Sequence, residues 1–306
     1  MRRVIHLVAL MAMMLSSTVL GATAQEASPE SGGSLLAELG YPELRVSSDG
    51  TESDLPAEIE AGRYHVILEN ESELDVDLEF YQLPDGVTID DLVAGFEAAA
   101  GPEFVPPDFY FDLVANGGPS SAPGETGEVV LDLTPGEWIA NVYSSDPESE
   151  EDPGTNTPTA FTVTGEMPKV DDVPGAVEIV MAEMYFELPE TIETGPQIWK
   201  LVNNGLQPHH MILFGVPDGT TEERVLELLS SFGPPATPEA GATPVEPGLA
   251  FEDVEDVFGS LLFSEGQANW YEVDIEPATY AMICFLPDPS GKPHVMLGMI
   301  EVFTVE

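Results

Sequence analysis

The sequence predicts an all-β protein of two tandem sandwiches, each interrupted by one short helix. The chain repeats itself, its apolar residues come in short runs closed by turn residues, and the regular strand–helix alternation of a parallel-sheet protein is missing. Slid against itself by 133 residues, the chain matches without gaps: Leu55-Pro56 falls on Leu188-Pro189, Gly62 on Gly195, Asn70 on Asn203 and Pro84-Asp85-Gly86 on Pro217-Asp218-Gly219. Between 55 and 92, eleven of 38 positions are identical. A second block matches at an offset of 142, placing Asp132 on Asp274, Pro135 on Pro277, Trp138 on Tyr280 and Phe161-Thr162-Val163 on Phe303-Thr304-Val305. The nine-residue difference is taken up by the Pro/Ala/Thr-rich insert Pro234–Pro247, a loop by composition. A repeat of this period fixes the architecture before any single element is assigned.

Each element of the second copy can then be justified in turn. Glu178–Phe186 is rich in apolar and aromatic residues and reads as a strand, as do Gln197–Val202 and Met211–Val216 between Gly, Pro and Asn. Asn269–Ile275 alternates, with Trp270, Glu272 and Asp274 on one face and Tyr271, Val273 and Ile275 on the other. Tyr280–Phe285 and Met299–Val305 complete the set. Thr220-Thr221-Glu222-Glu223 followed by Val225, Leu228 and Leu229 has the form of a capped amphipathic helix. Strands of this length with turn signals between them predict an antiparallel sandwich. The copies span 41–166 and 167–306 and meet at the acidic, polar link Gly165–Val173.

The N-terminus has its own logic. Met1-Arg2-Arg3, an apolar stretch from Val4 to about Gly21 and Ala22-Thr23-Ala24 make a secretory signal peptide cleaved after Ala24, followed by a polar tail over 25–40. The protein is therefore expected to be secreted, with no stable membrane span after cleavage. Two of the eight basic residues, Arg2 and Arg3, leave with the signal, so six face 56 acidic ones. Nucleic acid, which demands cationic contacts, is excluded as a partner; a cationic protein partner is compatible with the charge.

One cysteine, Cys284, excludes an internal disulfide and leaves an intermolecular bridge, an inert buried thiol or a metal thiolate. The mature chain holds four histidines: His65, His209, His210 and His294. Pro208-His209-His210 follows Asn203-Asn204-Gly205 and enters an apolar strand; Tyr280-x-x-x-Cys284 is followed by Pro293-His294-x-x-x-Gly298-Met299. A thiolate, two imidazoles and a more distant thioether suit copper electron transfer. His210 is read as the outward neighbour of His209, and Met296 as a weaker axial candidate than Met299. Each residue alone has a plainer reading, as core thiol, loop histidine or core filler.

Taken together these segments resemble the plastocyanin-like cupredoxins, over roughly Val177–Val305. That family has Pro-His after an Asn-rich turn, then Tyr-x3-Cys, then Pro-His-x3-Gly-Met before a valine-rich strand. The resemblance implies Greek-key winding in both copies, copper as cofactor, one-electron transfer, a redox partner and His209, Cys284, His294 and Met299 as ligands. The nine residues Phe285–Pro293 between cysteine and histidine exceed the family's spacing. They are expected to bulge over the site, loosen it and admit water.

The first copy offers Val76, Asp77, Val142, Asp152 and Thr157 where the second has His209, His210, Cys284, His294 and Met299. It is expected to keep the framework without the metal. Its His65 is a surface or core histidine, its acidic run Ser145–Asp152 a solvated loop rather than a calcium site, and Asn70-Glu71-Ser72 a formal glycosylation triplet of little weight. An enzyme is not expected: multicopper oxidases and copper nitrite reductases need more histidines, a two-cysteine dinuclear centre needs a second cysteine, and neither a nucleophile elbow nor HExxH occurs. The alternative is a metal-free secreted binding or structural module.

Overall fold

The computed structural model describes residues 34–99, 106–147, 149, 154–231 and 249–306. The signal segment, residues 25–33 of the tail, Asp152 and the insert Pro234–Pro247 lie outside the described residues. The short apolar runs become strands. In the first half these are β1 (Glu43–Ser48), β2 (Glu58–Glu60), β3 (Gly62–Asn70), β4 (Asp75–Gln82), β5 (Val114–Ala115), β6 (Ser120–Ser121), β7 (Thr126–Leu133), β8 (Gly136–Ser145) and β9 (Thr155–Thr164). In the second they are β10 (Val177–Ala182), β11 (Tyr185–Glu187), β12 (Gly195–Asn203), β13 (Ile212–Val216), β14 (Glu255–Gly259), β15 (Ala268–Ile275), β16 (Ala278–Ile283) and β17 (Ile300–Val305). Helix α1 (Leu35–Glu38) precedes β1; α2 (Ile89–Ala99) and α3 (Glu222–Ser231) follow β4 and β13. β3 and β12 begin 133 residues apart, and β7 and β15 begin 142 apart.

The fold is all-β. In the second half, β15-β12-β10-β11 faces β14-β13-β16-β17, and the chain crosses between the sheets at β12–β13, β14–β15 and β15–β16. In the first, β1-β3-β7 faces β2-β9-β8-β4-β5, with β6 on β4. Alternation decides which side chains enter the space between sheets. Tyr271, Val273 and Ile275 point into the core while Glu272 and Asp274 stay in water. Each apolar side chain so buried contributes about 1.5–3 kcal/mol.

Two expectations about strands needed correction. The sheets are mixed rather than purely antiparallel: β1 with β3, β10 with β12 and β2 with β9 all run parallel. Alternation fixes the face of a strand and says nothing of its direction. The strand expected over Glu178–Phe186 is also two, β10 and β11, because the chain reverses at Glu183-Met184, with Met184 in the left-handed region at φ 64°.

The halves are joined edge to edge. β7 pairs antiparallel with β15 through Asn269↔Leu131 and Trp270↔Val130, making one seven-stranded sheet. Across this joint the guanidinium of Arg63 lies 3.9 Å over the Trp270 ring, grips Asp132 at 2.7 and 2.9 Å and donates to the Asp171 carbonyl at 3.1 Å. Leu36 of α1 packs beneath, with Val130, Val173 and Trp270. The end of the expected polar tail is thus docked, and Leu35 N–H donates to Glu272 at 2.8 Å. Among the described residues no helix is long and apolar enough to cross a membrane.

Candidate metal centre

The turn that delivers His209 is built by Asn203. Its buried amide donates to the carbonyls of Gln207 and Phe263, both at 2.8 Å, and its oxygen accepts the Gly205 N–H at 2.8 Å. A Cβ on Gly205 would lie 2.9 Å from both His209 Nε2 and a Glu183 carboxylate oxygen, so a larger residue there would have to displace one of them. That carboxylate accepts the N–H groups of Leu206 and Gln207, clamping the turn from outside. Burial pushes the Glu183 carboxyl up, but the N–H groups of Gln207, Glu183 itself and Leu206 outweigh it and hold it below the usual range. Pro208 favours an extended Gln207, and His209 then exchanges two backbone hydrogen bonds with Phe263, at 3.1 and 3.0 Å.

Cys284 sits one residue beyond β16. Its N–H donates to the Met299 carbonyl at 3.3 Å, and its carbonyl accepts the Val295 N–H at 2.8 Å. The segment between Cys284 and His294 does not bulge. It closes on itself as a small hairpin, with His294 N–H on the Leu286 carbonyl at 2.8 Å and Asp288 N–H on the Lys292 carbonyl at 2.9 Å. At the tip, the Asp288 carboxylate accepts the Ser290 N–H, the Ser290 hydroxyl and the Lys292 N–H at 2.8, 2.6 and 2.9 Å. The extra residues form an excursion whose two ends lie side by side. His294 then opens a single helical turn ended by Gly298, left-handed at φ 108°, and Met299 N–H returns to the His294 carbonyl at 3.0 Å.

These elements bring three donors together. His209 Nδ1 and His294 Nδ1 are 3.1 Å apart, and Cys284 Sγ lies 3.9 and 3.4 Å from them. A point equidistant from the three is about 2 Å from each, close to the roughly 2.0–2.3 Å that a first-row ion keeps to imidazole and thiolate. All three residues are fully buried, so the expected open, wetted site is not what the chain builds. Met299 is fully buried in the same core cluster as Cys284, whereas half-buried Met296 packs in a separate cluster with Phe285 and Val295.

The electrostatics suit a cation. Burial, then His294, pulls the His209 imidazole down to about 3 against Glu183; burial pulls His294 down to about 4 against Asp288 and Glu183. Both rings are therefore neutral at pH 7 and offer lone pairs. Burial pushes the Cys284 thiol up to about 12, opposed by the backbone N–H groups of His210 and Leu286. Such a thiol gives up its proton only when a metal replaces it. His294 Nε2 faces Gln207 Oε1 at 3.3 Å, the kind of outer contact that orients a ligating imidazole through its second nitrogen. A buried set of two neutral nitrogens and one sulfur, with no carboxylate, suits copper and not calcium or magnesium.

His210 turns away from this cluster, as strand alternation requires, yet it is not outward: it is 2% exposed and its Nε2 accepts the Phe285 N–H at 2.9 Å. Facing away from His209 at this point means facing a second core under Phe285. Asn203 was visible in the sequence, as the repeat partner of Asn70 and the start of the Asn-Asn-Gly turn, whereas Glu183, Gln207 and Phe263 were given no role there. In the first half, Val76 and Val142 are apolar core and Thr157 is half-buried in β9. His65 is satisfied by Glu128 at 2.8 Å. The Asn70 amide donates to the carbonyls of Leu74, Ser121 and Ala122 and is buried, so it is no glycan acceptor in the folded chain.

No protein-family model and no curated protein matches the chain. Solved structures do. Dithionite-reduced auracyanin from the photosynthetic bacterium Roseiflexus castenholzii is 19% identical, with 44% of this chain and 99% of that one covered and a TM-score of 0.28. Amicyanin from Paracoccus versutus is 18% identical over 44% of this chain and 86% of that one, at 0.23. A multicopper oxidase is 15% identical over 86% of this chain and 88% of that one, also at 0.23. At these identities and scores no residue's role carries across from them.

Proposed function

We propose that the second half is a cupredoxin-type domain whose His209, Cys284 and His294, with the Met299 thioether, would hold one copper ion and pass single electrons outside the cytoplasm. The observation that carries this is the convergence of the only cysteine with two of the chain's few histidines in a dry pocket. Copper bound there supplies a one-electron couple between its two oxidation states. The protein's part is to hold the donors still. The Asn203 turn, the Phe263 bridge and the Asp288 hairpin fix all three through backbone bonds, so little has to move when the charge changes. The two remaining described histidines are tied to Glu128 and to the Phe285 N–H, which favours a carrier over a multicopper enzyme.

The leader-like N-terminus supports secretion, and the excess of carboxylates favours a cationic redox partner. The first half, with Val76 and Val142 at the matching places, is read as a ligandless counterpart. Titration of the mature protein with Cu(I) and with Cu(II), followed by metal analysis, tests the proposal. One tight equivalent is expected, and Cys284→Ser should lose it. Equally tight binding by the variant would remove the thiolate from the site; no tight copper in the parent would leave a metal-free secreted module.

A further inference from the structure

The first half has a part in the metal centre although it offers no ligand. A strap, Leu262-Phe263-Ser264, runs between the halves. On one side Phe263 exchanges both backbone hydrogen bonds with His209, and its carbonyl also accepts the Asn203 amide. On the other side the strap is gripped by residues 113–117 of the first half. Ser264 Oγ donates to the Leu113 carbonyl at 2.7 Å and accepts the Ala115 N–H at 3.0 Å; Ser264 N–H donates to the Ala115 carbonyl at 2.8 Å; and Gly117 N–H donates to the Leu262 carbonyl at 3.0 Å. The last two of these bonds set Asn116 opposite Phe263, and the Asn116 carbonyl accepts the Asn269 amide at 3.0 Å. Phe263, Asn116 and Ala115 are fully buried and Ser264 is half-buried, so the backbone of the strap is screened from water while its anchoring hydroxyl sits at the margin.

We infer that residues 113–117 of the first half act as a clamp on the metal centre, with Ser264 as the positioning residue through which they fix the backbone of His209. The inference rests on the copper reading for its metal-dependent part. A ligand carried on a turn is only as well placed as the backbone beneath it, and here that backbone is braced by a strap whose anchor lies in the other half. The hydroxyl of Ser264 is the one side chain that both gives and takes a hydrogen bond at the anchor.

The test uses the full mature chain and three variants. Ser264→Ala removes the anchor, Ser264→Thr restores the hydroxyl, and Ile59→Val trims a buried residue of β2 at the opposite edge of the first-half sheet. In metal-free protein, amide hydrogen exchange at His209 and Phe263 should quicken in Ser264→Ala, return toward the parent rate in Ser264→Thr and stay unchanged in Ile59→Val. With copper, Ser264→Ala should bind about 10-fold or more weakly, the range seen when outer-shell contacts to metal sites are removed, with a shifted reduction potential and thiolate absorption. Parent-like exchange, affinity and potential in Ser264→Ala would overturn the clamp. A parent chain that takes up no copper would defeat the copper reading alone, and the exchange rates would still decide the clamp.

Discussion

Two turns, one in each half, are made the same way and end differently. Asn70 donates to the Leu74 and Ser121 carbonyls at 2.8 and 3.0 Å and accepts the Ser72 N–H at 3.0 Å. Asn203 donates to the Gln207 and Phe263 carbonyls at 2.8 Å and accepts the Gly205 N–H at 2.8 Å, each partner shifted by the repeat offset. The next residues are Asp75-Val76-Asp77 in one half and Pro208-His209-His210 in the other. A second pair behaves alike: Trp138 Nε1 donates to the Thr134 carbonyl and Tyr280 OH to the Glu276 carbonyl, at 2.8 and 2.7 Å. Framework and chemistry are therefore separable. The buried asparagine determines where the chain goes, and the residue six positions on, Val76 or His209, determines whether a donor for the proposed metal is delivered.

The sharpest way to break this comparison is to remove the asparagines. Asn70→Ala and Asn203→Ala each remove a buried amide that ties a turn to its neighbours and leave its backbone partners short of a bond, and each should cost about 3 kcal/mol by urea unfolding, at roughly 1–3 kcal/mol per unmet group. Only Asn203→Ala should also weaken copper uptake; the same loss in Asn70→Ala would show that framework and chemistry are not separable. A step down in size, Tyr280→Phe should cost about 1 kcal/mol for one side-chain hydrogen bond. Trp138→Phe should cost about 2 kcal/mol, since a fully buried ring also shrinks. Equal values in thermal melts would mean that the bond, not the ring, carries both corners.

The smallest effect separates the halves by pH. Burial, then Asp146 and Glu125, pushes the Asp75 carboxyl up to about 6 from 3.8, while Pro208 stands at the matching place in the second half. Between those values the folded chain keeps a proton that the unfolded chain releases, so this stabilisation is complete below about 3.8 and is lost as pH rises through about 6. Asp75→Asn should flatten unfolding stability between pH 4 and 7 and raise it at the upper end. An unchanged profile would place the proton elsewhere.

The fold class and the three converging donors were legible because rare residues carried them: one cysteine, few histidines and a repeated Pro-Asp-Gly. The hairpin between Cys284 and His294 was missed, though its sign is present. Asp288-Pro289-Ser290-Gly291 places Asp, Pro and Gly where a type I turn wants them, and the Gly291 N–H does reach the Asp288 carbonyl at 2.8 Å. Counting intervening residues hid this, because an excursion that pairs with itself adds length without adding slack. The burial of His210 was not legible either; nothing local announces the second core under Phe285. Nor was the pairing of β7 with β15, since alternation marks faces and is silent about edges.

That last joint has a consequence for solubility. An edge strand with free N–H and C=O groups is a template on which another chain can add. β7 and β15 would each be such an edge if the halves stood apart, and in the intact chain they cover one another at Val130–Leu131 and Asn269–Trp270. Cutting the chain between its halves would create two adhesive surfaces at once, and these would find each other, or a neighbour, according to concentration. In the native molecule the connecting link Gly165–Val173 keeps that encounter within one chain, where dilution cannot undo it.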